Sequence, residues 1–64
     1  MKYFRPQMQR LVNENRELHD RLKGLMRDMD LQKNYALKAL YHSEVADGGR
    51  YQQAYQALDA DFIK

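Results

Sequence analysis

From Met8 onward the apolar residues fall at steps of three and four, with one longer gap: Met8, Leu11, Val12, Leu18, Leu22, Leu25, Met26 and Met29. That spacing places them on one side of an α-helix, in a stripe covering about a third of the wheel. Pro6 is the chain's one proline, and its fixed φ suits the first position of a helix. The pattern predicts an arm over residues 1–5 and a helix that starts at residue 6. In heptad terms Leu11, Leu18 and Leu25 stand at d, and Met8, Asn15, Leu22 and Met29 at a. One Asn among leucines at a is a device that fixes register in a two-stranded coiled coil. Val12 and Met26 widen the stripe, so an ordinary amphipathic helix packed between neighbours, with Asn15 at a wet edge, fits the pattern as well.

Residues 30–47 contain no Gly or Pro and are rich in helix formers. An 11-residue spacing links Leu11 to Leu22, Leu18 to Met29 and Met29 to Leu40, which keeps a stripe straight along one helix. The expectation is one long helix over about 7–46. Asp28 and Asp30 offer caps for a fresh start, giving a kink or break near 28–32. Leu37, Leu40 and Tyr41 lie opposite Leu31, Tyr35 and Val45 on the wheel, so this half is expected to be sandwiched between helices. Asp47-Gly48-Gly49 is the clear break, with Gly48–Gly49 as the turn. Beyond it Tyr51, Tyr55, Leu58 and Phe62, with Ala54 beside them, mark a short C-terminal helix over about 50–63, folded antiparallel onto residues 31–46.

The fold class is therefore all-α, one domain over residues 1–64. Its length is the difficulty. A continuous helix over 7–46 measures about 60 Å, whereas a compact globule of this size has a radius of gyration of about 11 Å. Either the helix breaks near residue 30 into a bundle, or its first half meets a second chain. The stripe outruns what the returning helix covers, so the sequence favours a homodimer, a dimeric bundle or coiled coil. Its interface is Met8, Leu11, Asn15, Leu18, Leu22, Leu25 and Met29.

Composition agrees with a need for help. The chain has 64 residues and no cysteine, so neither disulfides nor thiolate metal sites can brace a small core. Apolar types reach 44% without a run long enough to span a bilayer, and no apolar signal core opens the chain. A cytoplasmic protein without a membrane segment is expected. Net charge is +2, but residues 1–27 hold seven bases against three acids, and residues 28–64 four bases against six acids. That dipole suits antiparallel association or an acidic partner at the first third. It equally suits solvated helix faces with intrahelical pairs such as Arg10–Glu14, Arg16–Asp20 and Glu17–Arg21.

No nucleotide-binding, hydrolase or zinc-protease motif is present. Ser43 is the only serine and threonine is absent. His42, Ser43 and Glu44 are consecutive and diverge by about 100° each on a helix, so they form no triad. His19 stands alone. The carboxylate pairs Asp28/Asp30 and Asp59/Asp61 are two residues apart and diverge likewise, poor for acid–base work or for metal. No enzyme activity, cofactor or metal is expected. Five Tyr and two Phe remain. Tyr51, Tyr55 and Phe62 read as core, while Tyr with Arg is a hot-spot combination for protein binding. The candidate partner-binding residues are Tyr35, Tyr41 and Arg50 by the turn, and Tyr3, Phe4 and Arg5 on the arm, which alternatively packs on a partner helix.

Across Gln9–Leu25, the residues Val12, Glu14, Glu17, Leu18, Arg21, Leu22 and Leu25 fit the motif V-x-E-x-x-E-L-x-x-R/K-L/I-x-x-L. This stretch resembles the first helix of short helical-hairpin proteins from tailed bacteriophages, although the second half departs from their pattern. The resemblance implies a phage or mobile-element origin and a protein that binds a host protein and alters its activity, in the cytoplasm of the host bacterium. The leading expectation is thus a non-enzymatic homodimer acting by protein–protein interaction, a phage-type inhibitor or regulator. The first alternative is a nucleic-acid-binding regulator using the basic face Arg16, Lys23 and Arg27, though Glu14, Glu17 and Asp20 interrupt it. The others are a nucleotide-sequestering oligomer, with Gly48–Gly49 as its weak anion site, and a structural assembly factor.

Overall fold

A computed structural model describes residues 2–58. Among these, the chain forms four helices, α1 (Arg5–Glu14), α2 (Arg16–Asp28), α3 (Lys33–Glu44) and α4 (Gln52–Ala57). α1, α2 and α3 pack pairwise around one core, and α4 lies against α1. The radius of gyration is 11.0 Å, the value of a compact single chain of this length.

The long helix is interrupted twice. The break at residues 29–32 is one of the two courses the sequence left open. Asp30 takes a left-handed φ of 53° there, a conformation Asp tolerates better than most residues. Neither Asp28 nor Asp30 caps the new helix; its N-cap is Gln32, without a side-chain cap bond. The second interruption, at Asn15, runs against the expected coiled coil. Asn15 has φ −131° and ψ 106°, an extended conformation that no α-helical ladder can contain. Its side-chain amide donates to the Leu11 carbonyl at 2.8 Å. That carbonyl is one of those a helix end leaves without an intrahelical donor. Asn side chains compete for backbone groups in this way. The residue expected to fix a register between two chains instead ends one helix and begins the next.

The core gathers Met8, Leu11 and Val12 of α1, Leu18 and Leu22 of α2, Ala36, Leu37, Leu40 and Tyr41 of α3, then Val45 and Tyr55. Apolar spacing marks Met8, Leu11, Val12, Leu18, Leu22 and Tyr55 as inward, whereas the sequence reading placed Tyr41 on a partner surface. What covers the stripe is the same chain folded back on itself.

The turn after α3 is longer than the glycine pair alone. Val45 and Ala46 N–H both donate to the Tyr41 carbonyl, each at 2.9 Å, and Tyr51 N–H reaches the Glu44 carbonyl at 2.8 Å. Asp47 and Gly48 have φ of 54° and 80°. Gly49 is required for a different reason. A Cβ there would run into the backbone carbonyl group of Glu44 and stand 2.6 Å from the Val45 nitrogen. α4 then packs on α1 rather than lying along residues 31–46 as expected. It also meets α3 in an edge contact between the Tyr55 and Tyr41 rings, 5.3 Å between centroids. Phe62 and the rest of 59–64, placed by the sequence in this helix, lie outside the described residues.

Candidate functional site

The residues expected at a dimer seam divide by depth. Met8, Leu11, Leu18 and Leu22 are buried inside the chain, so they offer no surface to a second copy. Asn15 and Leu25 are half-buried, and Met29 is 62% exposed. The seam as drawn across α1 and α2 is not a surface of this fold, because α3 and α4 already occupy it.

The tyrosines divide likewise. Tyr41 is only 4% exposed, which corrects its assignment as a partner-binding residue. It sits between Tyr3 and Tyr55, edge-on to both at 5.2 and 5.3 Å. Tyr55 is the anchor of the arm. Its hydroxyl accepts the Phe4 N–H at 2.9 Å and donates to the Lys2 carbonyl at 3.0 Å. Its own carbonyl accepts from Gln7 Nε2 at 2.7 Å. Tyr3 packs its ring on this cluster with its hydroxyl buried and without a hydrogen-bond partner. Burial raises its phenol pKa above the ordinary value, and the nearby Arg5 charge partly offsets the effect. The arm is therefore part of the fold. Phe4 and Arg5 are exposed at its edge, and Tyr35, on α3, is 65% exposed.

Charged side chains link the helices. Arg21 on α2 holds Glu44 of α3 at 3.0 Å and Glu17 at 3.6 Å. Arg50, from the turn, reaches Glu17 at 3.4 Å and lies over the Tyr51 ring at 5.7 Å, so this candidate is already engaged within the chain. The Glu44 side chain is 11% exposed, and one of its oxygens, Oε1, is buried without a partner. Neither Gln7 nor the Arg21–Glu44 pair was found by sequence reasoning. Gln7 and Glu44 carry no local motif and matter only through residues distant in sequence.

On the expected basic face, Arg16, Lys23 and Arg27 are all exposed. Arg27 is tied to Asp28 at 3.1 Å, and Asp20, also exposed, stands in the same row of α2.

Between α2 and α3 runs an open groove of about 350 Å³, lined by Arg21, Gly24, Leu25, Asp28, Met29, Leu40 and Ser43. Leu25 and Leu40 are its apolar lining, and Met29 stands exposed in it. Gly24 keeps one wall low: a Cβ there would meet nothing within 4 Å. Ser43 spends its hydroxyl on the Leu40 carbonyl at 3.3 Å. Among the described residues no group of three or more His, Cys, Asp or Glu is placed to hold a metal ion. No helix there is long and apolar enough to cross a membrane.

Fold and groove together define a small all-helical protein with a partly apolar groove between α2 and α3. The chain matches no known protein family, no curated protein and no solved structure.

Proposed function

We propose that this protein is a non-enzymatic binding module that seats an apolar-faced helix of a partner protein in the groove between α2 and α3. The groove itself carries the reading. Leu25, Met29 and Leu40 give it an apolar stretch beside Arg21, Asp28 and Ser43, Met29 offers a flexible thioether that adapts to a partner's shape, and grooves with an apolar stretch take amphipathic helices. Gly24 supports the same conclusion. Glycine in a helix interior costs about 0.5–1 kcal/mol relative to alanine, and nothing within the chain needs the space it leaves.

The homodimer belongs on the same surface, since the stripe that was to carry it is inside the chain. The resemblance of Gln9–Leu25 to the first helix of phage helical hairpins supports a reading in which the partner is a host protein and this protein its regulator or inhibitor.

The test compares the wild-type chain with Met29→Glu and Gly24→Gln, both at accessible positions and checked for folding by circular dichroism. Sedimentation velocity reads self-association, and capture from lysate of the source cells reads a foreign partner. The proposal expects at least one of these to be present in the wild type and lost in both variants. A wild type that sediments as a monomer, and captures the same proteins as its variants, refutes it.

A further inference from the structure

The α2 wall of the groove is a stripe of four residues, Arg21, Gly24, Leu25 and Asp28. Their spacing (i, i+3, i+4, i+7) puts them on one face of the helix. A cation thus stands two turns ahead of an anion, and the point midway between them falls between Gly24 and Leu25. Arg21 is half exposed even while it holds Glu17 and Glu44. Asp28 is 67% exposed, and its bond to the adjacent Arg27 is itself on the surface, where such a pair contributes little and exchanges readily. A second α2 laid antiparallel about the midpoint sets its Arg21 beside Asp28 and its Asp28 beside Arg21. Laid parallel, it sets like charges together.

We infer that the occupant of the groove is α2 of a second copy of this chain, antiparallel to the first about a two-fold axis between Gly24 and Leu25. The inference rests on the groove being a seat for a helix, and it names which helix. A two-fold pairing needs a surface that complements itself, because each contact is made twice. Near the axis Gly24 faces the partner's Gly24, and without Cβ atoms the helix axes can approach to about 8 Å, the close end of helix packing. Leu25 meets the partner's Leu25 beside Leu40, which covers the apolar part of the groove. The exposed charge pairs fix direction and register more than strength. A foreign helix would have to bring the same order of charges, which α2 already carries.

The chain has no cysteine, so single-cysteine variants report contacts between copies without background. In this pairing the two Leu25 Cα atoms fall within the disulfide range of about 4.4–6.8 Å, and Leu25→Cys should form a covalent dimer under mild oxidation. The two Asp28 Cα atoms stand about 10.5 Å apart along the axes, beyond reach of a disulfide. Asp28→Cys should therefore not link, although it is more exposed, and neither should Lys23→Cys on the side of α2 away from the groove. Sedimentation equilibrium, run to about 1 mM because small interfaces bind weakly, should show the wild type dimerising. Gly24→Gln should weaken that at least about tenfold by holding the backbones apart, yet stay folded, since a Cβ there meets nothing within 4 Å in its own chain. Three outcomes overturn the inference: a monomeric wild type throughout, Asp28→Cys or Lys23→Cys linking as readily as Leu25→Cys, or Gly24→Gln dimerising like wild type. A monomer whose capture of a foreign protein is lost in Met29→Glu and Gly24→Gln overturns this inference alone and leaves the groove as a helix seat.

Discussion

Replacing Tyr55 by Phe removes one oxygen atom and tests how the arm is held. The ring is 1% exposed and stays where it is, edge-on to Tyr41. Only the hydroxyl is lost, and with it the bonds from Phe4 N–H and to the Lys2 carbonyl at 2.9 and 3.0 Å. A typical intramolecular hydrogen bond contributes about 0.5–1.5 kcal/mol net, so two amount to about 1–3 kcal/mol. Both bonds are only part-buried, and water can partly replace the hydroxyl, which favours the lower half, about 1–2 kcal/mol. At about 0.05–0.15 kcal/mol per residue, the whole domain is worth only about 3–10 kcal/mol. A domain this small loses about 4–8 °C of Tm per kcal/mol, so Tyr55→Phe should melt about 4–16 °C lower. Thermal unfolding followed by circular dichroism measures the shift, with Tyr35→Phe as the exposed control. Hydrogen exchange at the Phe4 amide localises it. An unchanged Tm together with unchanged protection of that amide would show that the hydroxyl does not pin the arm.

Gly49→Ala should cost about 1–3 kcal/mol, because the clash is with the Glu44 and Val45 backbone rather than a movable side chain; a urea midpoint equal to wild type refutes the close approach. Tyr3→Phe removes a buried hydroxyl without a partner and should leave stability at neutral pH equal or up to about 1 kcal/mol higher. In the wild type the raised Tyr3 pKa means the unfolded chain loses this proton first. That contribution to stability is complete below about pH 10 and lost as pH rises beyond. Urea midpoints across that range should fall less steeply in Tyr3→Phe, and parallel curves would contradict the assignment. Arg21→Ala leaves the Glu44 carboxylate buried without its cation and should cost about 1–2 kcal/mol, less than a fully buried pair because Arg21 is half exposed. The double variant Arg21→Met, Glu44→Leu should recover most of the loss, and additive losses in this double-mutant cycle would show that the two side chains are not coupled.

Which side chains point inward was legible, because a period of 3.6 residues reports the face of a helix. It does not report the axis. Met8, Leu11 and Val12 stay on the inner side whether or not the chain turns at Asn15, so the stripe runs through the break without a mark. Asn15 was read for its rank in a heptad, whereas its effect comes from reaching its own backbone at Leu11. The break after Asp28 was visible as an option because two aspartates interrupt the helix formers there. Glycine at 48 and 49 announced the turn. The close approach at Gly49 depends on the Glu44 carbonyl coming back beneath it, which only the folded chain shows. The tyrosines carried the least local information. Tyr35, Tyr41 and Tyr55 are one residue type at similar helical spacing, yet α1 and the arm bury two of them and leave the third outside. The groove was invisible for a related reason: Leu25 and Leu40 are distant in sequence, and only the packing of α2 on α3 brings them to one lining.

The bonds from Tyr55 to residues 2 and 4 also set an order of events during synthesis. They join positions more than 50 residues apart, while the contacts among α1, α2 and α3 need only the chain up to Glu44. As the polypeptide leaves the ribosome, those three helices can gather while the arm is still unfastened, because the residue that secures the arm is made more than 50 residues later. A nascent chain halted ahead of Tyr55 would therefore carry a helical core with an unfastened arm, within reach of proteases and chaperones until α4 arrives.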